Sequence, residues 1–140
     1  MDISTDGLTV VDGEKSAYIV IHDFADFRCP HCFHASEVLS QAMRRWPGRI
    51  KIFYRHFPLD GSCNPQVGRR QPGSHSCNGA QASYCAADQG IGAAMYHGIF
   101  QFQAEDKNIT LDELKVLTEN LKGDWNRLVA CMGTGRTAAM

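Results

Sequence analysis

No apolar run in this 140-residue chain approaches the roughly 20 residues that a bilayer-spanning helix requires. The first segment, Met1 to Glu14, has neither the basic start nor the apolar stretch of a secretory signal peptide, which fits a mature form or a soluble piece of a larger protein. Excess charge of one sign is missing as well. Lys and Arg number 14 against 15 Asp and Glu, a formal net charge of −1, so nothing electrostatic points to nucleic acid or to an anionic membrane surface. Proline is scarce: the 5 residues end at Pro72, and no helix breaker of that kind follows. There is no internal repeat and no low-complexity tract.

What remains is an ordinary globular composition with one excess. Hydrophobic residues make up 44% and charged residues 21%, and 140 residues suffice for one domain (1–140) with a real core. The excess is cysteine, at positions Cys29, Cys32, Cys63, Cys77, Cys85 and Cys131. An even and generous number favours an oxidising compartment, because disulfides persist there. The competing explanation is that several are small buried hydrophobes. It stands level with the first for Cys85 and Cys131, and is weak for Cys29 and Cys32 because of where they fall.

Tyr18 to Ala25 opens with a continuous apolar run and carries β-branched and aromatic residues, which predicts a strand buried on both faces. Beyond it Cys32, Ala35, Val38, Leu39, Ala42, Met43 and Trp46 recur at three- and four-residue steps, the pattern of an amphipathic helix. Pro30 fits its first turn and Pro47-Gly48 stops it. Ile50 to Phe57 is a second strand, so the three segments make a βαβ unit with parallel strands and a right-handed crossover. Asp60 to Ser76 contains Gly61, Pro65, Gly68, Pro72 and Gly73, a loop long enough to be stapled, functional or disordered. From about residue 77 to residue 132 the chain is expected to be helical. The segments are Ala80–Gln89, Ile91–Gln103, a helix opened by the capping-box pair Thr110 and Glu113, and Trp125–Met132 capped by Asp124.

The Cys29-Pro-His-Cys32 segment sits where the first strand feeds the first helix, and that placement says more than C-x-x-C spacing alone. An attacking cysteine must be a thiolate, and unpaired N–H groups plus the helix dipole stabilise negative charge at a helix N-terminus. The second cysteine lies about one turn further along the same face, near enough to close a small disulfide ring. Pro30 helps to fix the turn, and His31 adds a donor or a partial positive charge beside the sulfur. The rival chemistry is zinc, for which Cys29, Cys32, His34 and His56 offer four ligands. Neither a second C-x-x-C nor an H-x-x-x-H accompanies them. His22 and His56 fall within strands, where packed or surface histidines are commoner than ligands.

Phe27-Arg-Cys-Pro-His-Cys-Phe33 resembles the active site of the DsbA-like branch of the thioredoxin superfamily, in which C-P-H-C is the redox motif. The likeness extends through Phe57-Pro-Leu-Asp60 and the helical stretch beyond it. The placement of Cys63 and Cys77, with His75 before the second, further resembles DsbA-like domains fused to vitamin K epoxide reductase homologues. This resemblance implies an α/β, thioredoxin-like fold: a βαβ core with a helical insertion. It implies a thiol–disulfide oxidoreductase that oxidises substrate protein cysteines and needs no cofactor. By the same likeness Cys29 is the nucleophile, Cys32 the buried resolving cysteine, and Asp23 the buried acid that accepts the Cys32 proton. Taken without the likeness, Asp23 is a solvated or capping carboxylate, an unusual residue for an apolar strand. The resemblance also implies a bacterial, periplasmic or otherwise extracytoplasmic protein, reoxidised by a membrane quinone reductase. Its potential would lie nearer DsbA's value of about −120 mV than thioredoxin's of about −270 mV.

Cys63 and Cys77 bracket the long loop, and a disulfide between them would tie it down, worth about 3 kcal/mol in the chain-entropy picture. A second redox relay is the other use for this pair. Cys85 and Cys131 fall on the apolar faces of predicted helices, where they either cross-link two helices or sit as buried thiols. Met95, Tyr96, Ile99, Phe100 and Phe102 are expected in the core, with a groove for unfolded substrate as the alternative. Arg69-Arg70 reads as a solvated loop pair.

A complete thioredoxin fold continues with two antiparallel strands and a final helix, the first strand preceded by a cis-proline that faces the redox cysteines. This sequence ends at Arg136-Thr-Ala-Ala-Met140 before any such segment, so a fragment is expected, or a divergent member completed by something else. The Tyr18–Phe24 strand, central in a complete sheet, then becomes an unpaired edge, and such edges recruit strands. The expected outcomes are a homo-oligomer or strand-swapped dimer, pairing with a second chain, or a rearrangement of the segment around Leu8-Thr-Val-Val11. Rival functions on the same residues are a reductase or isomerase, and a non-catalytic interaction domain that keeps the cysteines.

Overall fold

The computed structural model describes residues 10–134 together with Ser4, Thr5 and Gly7. In chain order its elements are β1 (Val11–Gly13), β2 (Ile19–Ala25), α1 (Pro30–Arg45), β3 (Ile50–His56), α2 (Ser76–Ala87), α3 (Gly92–Ala104), α4 (Leu111–Asn120) and α5 (Trp125–Met132). The βαβ unit forms as the hydrophobic pattern predicts: β2 and β3 run parallel, in register from Ile19 opposite Ile50 to Ala25 opposite His56. The short β1 joins the other side of β3 antiparallel, giving the order β1-β3-β2. Central β3 is the strand buried on both faces, with Ile50, Ile52, Phe53, Tyr54 and His56 all out of solvent.

The expectation of a doubly buried strand at Tyr18 to Ala25 is corrected. β2 lies at the edge of the sheet, and Tyr18, Ile19, Val20 and Phe24 are 70%, 41%, 47% and 55% exposed. Because β1 adds to β3 and not to β2, one side of β2 has no strand partner among the described residues. Leu8 and Thr9 of the segment expected to rearrange, and Arg136 to Met140, lie outside those residues. The apolar run records what the strand can bury, not what is there to bury it. Helix α1 is also thinly covered on its outer face: Ser36 is its buried residue, and Val38 is half exposed, as is Trp46 at the helix end. Leu39, Ala42 and Met43 still pack against the core.

Helices α2 to α5 close the core, which α1 meets through Phe33 against Phe100. Met95, Tyr96, Ile99, Phe100 and Phe102 of α3 join Ala82, Cys85 and Ala86 of α2, Leu114 of α4 and Leu128 of α5 in one core with Phe27 and β3. Gly79 allows the close approach of α2, since a Cβ there would meet Phe27 Cδ2 at 2.8 Å. Thr110 Oγ1 accepts the Glu113 N–H at 3.3 Å and Asp124 Oδ1 accepts the Arg127 N–H at 3.1 Å, capping α4 and α5 at the positions the sequence pattern marks.

Two disulfides hold this part of the chain together. Cys85–Cys131 joins α2 to α5, so of the two alternatives for these residues the cross-link is the one formed. It spans a sequence separation of 46, and closing a loop of that size is worth about 4 kcal/mol in the chain-entropy picture. Cys63–Cys77 spans the long loop with a separation of 14. Inside that loop the Asp60 carboxylate accepts the N–H groups of Ser62 and Gln71, each at 2.8 Å, and the Ser74 hydroxyl at 3.3 Å. Burial works against its ionised form, and the N–H donors from Gln71 and Ser62 prevail, holding its pKa below the usual carboxylate value.

Candidate active site

Cys29 is the N-cap of α1, in extended backbone with φ −84° and ψ 117°, and Pro30 takes the first helical position, where its missing N–H costs nothing. The turn is built from backbone bonds: the Cys29 N–H donates to the Asp26 carbonyl at 3.1 Å, and the Phe33 N–H donates to the Cys29 carbonyl at 3.1 Å. From α3, Gln103 Nε2 donates to the Phe27 carbonyl at 2.6 Å and to the Cys29 carbonyl at 3.3 Å. Phe27 anchors the turn below, 2% exposed, its ring 4.8 Å from Phe100, 5.3 Å from His56 and 5.4 Å from Tyr96.

Cys29 and Cys32 are free thiols, each partly exposed, while the other four cysteines are paired. Burial pushes the Cys32 thiol up to about 11 against a hydrogen bond from the Asp26 backbone, with the neighbouring Cys29 and the charge of Asp23 adding to the rise. Cys32 therefore keeps its proton at neutral pH. Asp23, half-buried in β2, is the carboxylate that acts on it electrostatically. Burial raises the Asp23 pKa, and the hydroxyl of Tyr96, which donates to Asp23 Oδ2, offsets part of that rise. Pro30 and His31 stand exposed at the start of α1.

His34 is also exposed, whereas His56 is buried behind the site. Neither ring nitrogen of His56 has a hydrogen-bond partner among the described residues, and burial lowers its pKa to about 4, which keeps the ring neutral near neutral pH. No group of three or more His, Cys, Asp and Glu side chains among the described residues is arranged to hold a metal ion. A cavity of about 600 Å³ lies apart from the cysteine pair, lined by Asp12 and His97 together with Ser36, Glu37 and Arg44 of α1.

Three residues that shape this site were not assigned to it from the sequence. Asp26, 4% exposed, accepts the N–H groups of Arg28 and Leu59 at 2.5 Å each and the Ser76 hydroxyl at 3.1 Å, tying the cysteine turn to the loop after β3 and to α2. The sequence signal is an aspartate two residues before the backbone N–H it accepts. Gln103 had no such signal. Tyr96 was expected in the core and is there, but a buried tyrosine needs a partner for its hydroxyl, and its partner is Asp23.

This architecture, a small mixed sheet with the cysteine pair at the start of the crossover helix and helices packed behind, is the thioredoxin-like one. The chain superimposes on a thioredoxin-like oxidoreductase from Silicibacter pomeroyi DSS-3 with a TM-score of 0.74 at 19% identity, covering 96% of this chain and 68% of that one. It superimposes on the thiol-disulfide exchange protein alpha-DsbA2 from Wolbachia pipientis with a TM-score of 0.69 at 16% identity, covering 93% and 62%. A periplasmic thioredoxin-like protein from Salmonella enterica serovar Typhimurium gives a TM-score of 0.66 at 15% identity, with 96% and 70% covered. These likenesses show the fold. Residues 20–122 match the DSBA-like thioredoxin domain, and the chain belongs to that family. Among curated proteins it is 30% identical over 93 residues to the Na(+)/H(+) antiporter NhaA 1 of Mycolicibacterium vanbaalenii, a match that spans 66% of this chain and 14% of that protein.

Proposed function

We propose that this chain is a protein thiol–disulfide oxidoreductase of an extracytoplasmic compartment that oxidises substrate cysteine pairs through a Cys29–Cys32 disulfide. The observation that carries the reading is the division of its cysteines: four lie in disulfides, and the two left as thiols occupy the N-cap and first turn of α1. In the oxidised form a substrate thiolate attacks Cys29 Sγ. The bond to Cys32 breaks, and the Cys32 thiolate takes a proton from protonated Asp23. A second substrate thiolate attacks the substrate sulfur held on Cys29, closes the substrate disulfide and releases the Cys29 thiolate. Two electrons then reside on the protein, and an acceptor of the membrane quinone reductase kind, by family likeness, removes them.

The electrostatics support these roles. Cys29 caps α1, a position where a helix N-terminus stabilises negative charge; Pro30 takes the first helical position, and His31 is the proposed donor beside the sulfur. Cys32, with its pKa near 11, needs a base to attack in the reverse direction, and the raised pKa of Asp23 brings it closer to the working pH of a general acid or base. The two disulfides, Cys63–Cys77 and Cys85–Cys131, are structural and suit an oxidising compartment. The edge of β2 that has no strand partner among the described residues suits pairing with the same strand of a second copy.

The test is oxidative folding of a reduced substrate protein by catalytic amounts of this chain in a glutathione buffer. The wild type speeds disulfide formation, Cys29→Ser falls to the uncatalysed rate, and Cys32→Ser accumulates a covalent adduct between Cys29 and substrate. Retention of activity by Cys29→Ser contradicts the assignment. A wild type that only reshuffles scrambled disulfides is an isomerase.

A further inference from the structure

We propose that Tyr96 is a positioning residue for proton transfer at Cys32: its hydroxyl holds Asp23 Oδ2 and leaves Oδ1 to carry the proton that Cys32 exchanges. This deepens the proposed function and rests on the role given there to Asp23. The bond from Tyr96 is the one hydrogen bond the Asp23 side chain forms among the described residues, so it alone fixes the rotation of the carboxylate. A carboxylate held at one oxygen presents the other in a defined direction, and the charge of Asp23 acts on the Cys32 thiol.

Tyr96 is itself held from every side. Its side chain has no exposure, its ring stacks on Tyr54 at 3.7 Å with 18° between planes, and it meets the Phe100 and Phe27 rings edge-on at 5.0 Å and 5.4 Å. Tyr54 lies directly opposite Asp23 across the β2–β3 register, and its own hydroxyl is occupied by Asp12 at 3.3 Å and His97 at 3.2 Å. The second tyrosine hydroxyl is therefore engaged elsewhere, and Tyr96 does not share its role. Burial and the Asp23 charge push the Tyr96 phenol well above its ordinary pKa, so it remains a donor throughout the working range. One helix thus serves both ends of the site: α3 sends Gln103 to the Cys29 carbonyl and Tyr96 to the acid behind Cys32.

The proton balance is closed. When Cys32 attacks Cys29 Sγ in a mixed disulfide, its proton passes to Asp23, the Cys32–Cys29 bond forms and the other thiol leaves as a thiolate. In the reverse direction the protonated Asp23 returns the proton to the departing Cys32. The titratable groups around this carboxylate are Cys32 from α1, Tyr54 from β3 and Tyr96 from α3, with the His56 ring stacked on Tyr96 at 6.1 Å and neutral until about pH 4.

The experiment mixes the reduced protein with oxidised glutathione from about pH 5 to about pH 9, quenches in acid, and follows loss of the Cys29–glutathione adduct by mass spectrometry. Tyr96→Phe, which keeps the ring, is expected to shift the acid limb of this profile up by about one unit and to slow the step about tenfold near pH 6, because the carboxylate loses the donor that lowers its pKa. Asp23→Asn loses the acid limb altogether, and Tyr96→Phe added to it changes nothing more. Global replacement of tyrosine by 3-fluorotyrosine, a stronger donor with the packing retained, shifts the limb the other way. An unchanged profile in Tyr96→Phe, or equal slowing by Tyr96→Phe with and without Asp23→Asn, overturns the positioning role alone. An unchanged profile in Asp23→Asn overturns the role of Asp23 and the inference with it.

Discussion

Helices α2 and α3 bury seven and six of their residues, whereas α1, longer than either, buries one. The difference follows what lies against each. α2 and α3 pack on each other, on α4 and α5, and on β3, and a disulfide ties α2 to α5. In and beside α1 and β2, by contrast, Tyr18, Val20, Phe24, Val38 and Trp46 face solvent. The cysteine pair stands at the start of α1. Its rigid backing, Phe27, Gln103 and Tyr96, comes from or packs on α3, while Cys29 and Cys32 are partly exposed. In the proposed reaction, a thiol that meets protein substrates while its turn stays fixed benefits from that arrangement.

Substitution separates the two regions most sharply in stability. Phe100→Ala, at 1% exposure and in contact with three aromatic rings, is expected to cost about 3–5 kcal/mol in denaturant unfolding. Val38→Ala on the outer face of α1 is expected to stay within about 0.5 kcal/mol. Equal costs would mean that α1 is covered in solution by something with the packing of a core. The smaller effect is on assembly. Sedimentation should find a dimer for the wild type, and Val20→Lys, a charge on the β2 edge, should return it to the monomer mass. A wild type that sediments as a monomer at all concentrations contradicts pairing of two copies through that edge.

How far the sequence reaches also differs between the regions. The βαβ unit, the placement of the cysteine pair and the caps at Thr110 and Asp124 were legible, because each rests on local rules of period, turn chemistry and capping. The exposure of β2 was not read from its apolar run, since hydrophobicity is a property of the strand and burial a property of its neighbours. The partner of Cys85 was open for a related reason. Cys131 lies 46 residues away, and only the packing of α2 on α5 brings the two sulfurs together. Within the site, Cys29, Cys32 and Asp23 stand out by type and position. Tyr96 and Gln103 look like ordinary members of α3, because what marks them is the target of one polar atom across the core.

The most direct measurement is thiol trapping. The protein is equilibrated in glutathione buffers of graded potential, free thiols are alkylated, and each cysteine peptide is read by mass spectrometry. The Cys29–Cys32 peptide alone should convert, at a potential closer to about −120 mV than to about −270 mV, with Cys63–Cys77 and Cys85–Cys131 remaining disulfides throughout. Conversion of either structural pair in the same range, or a Cys29–Cys32 pair that never converts, would contradict the division of labour among the six cysteines.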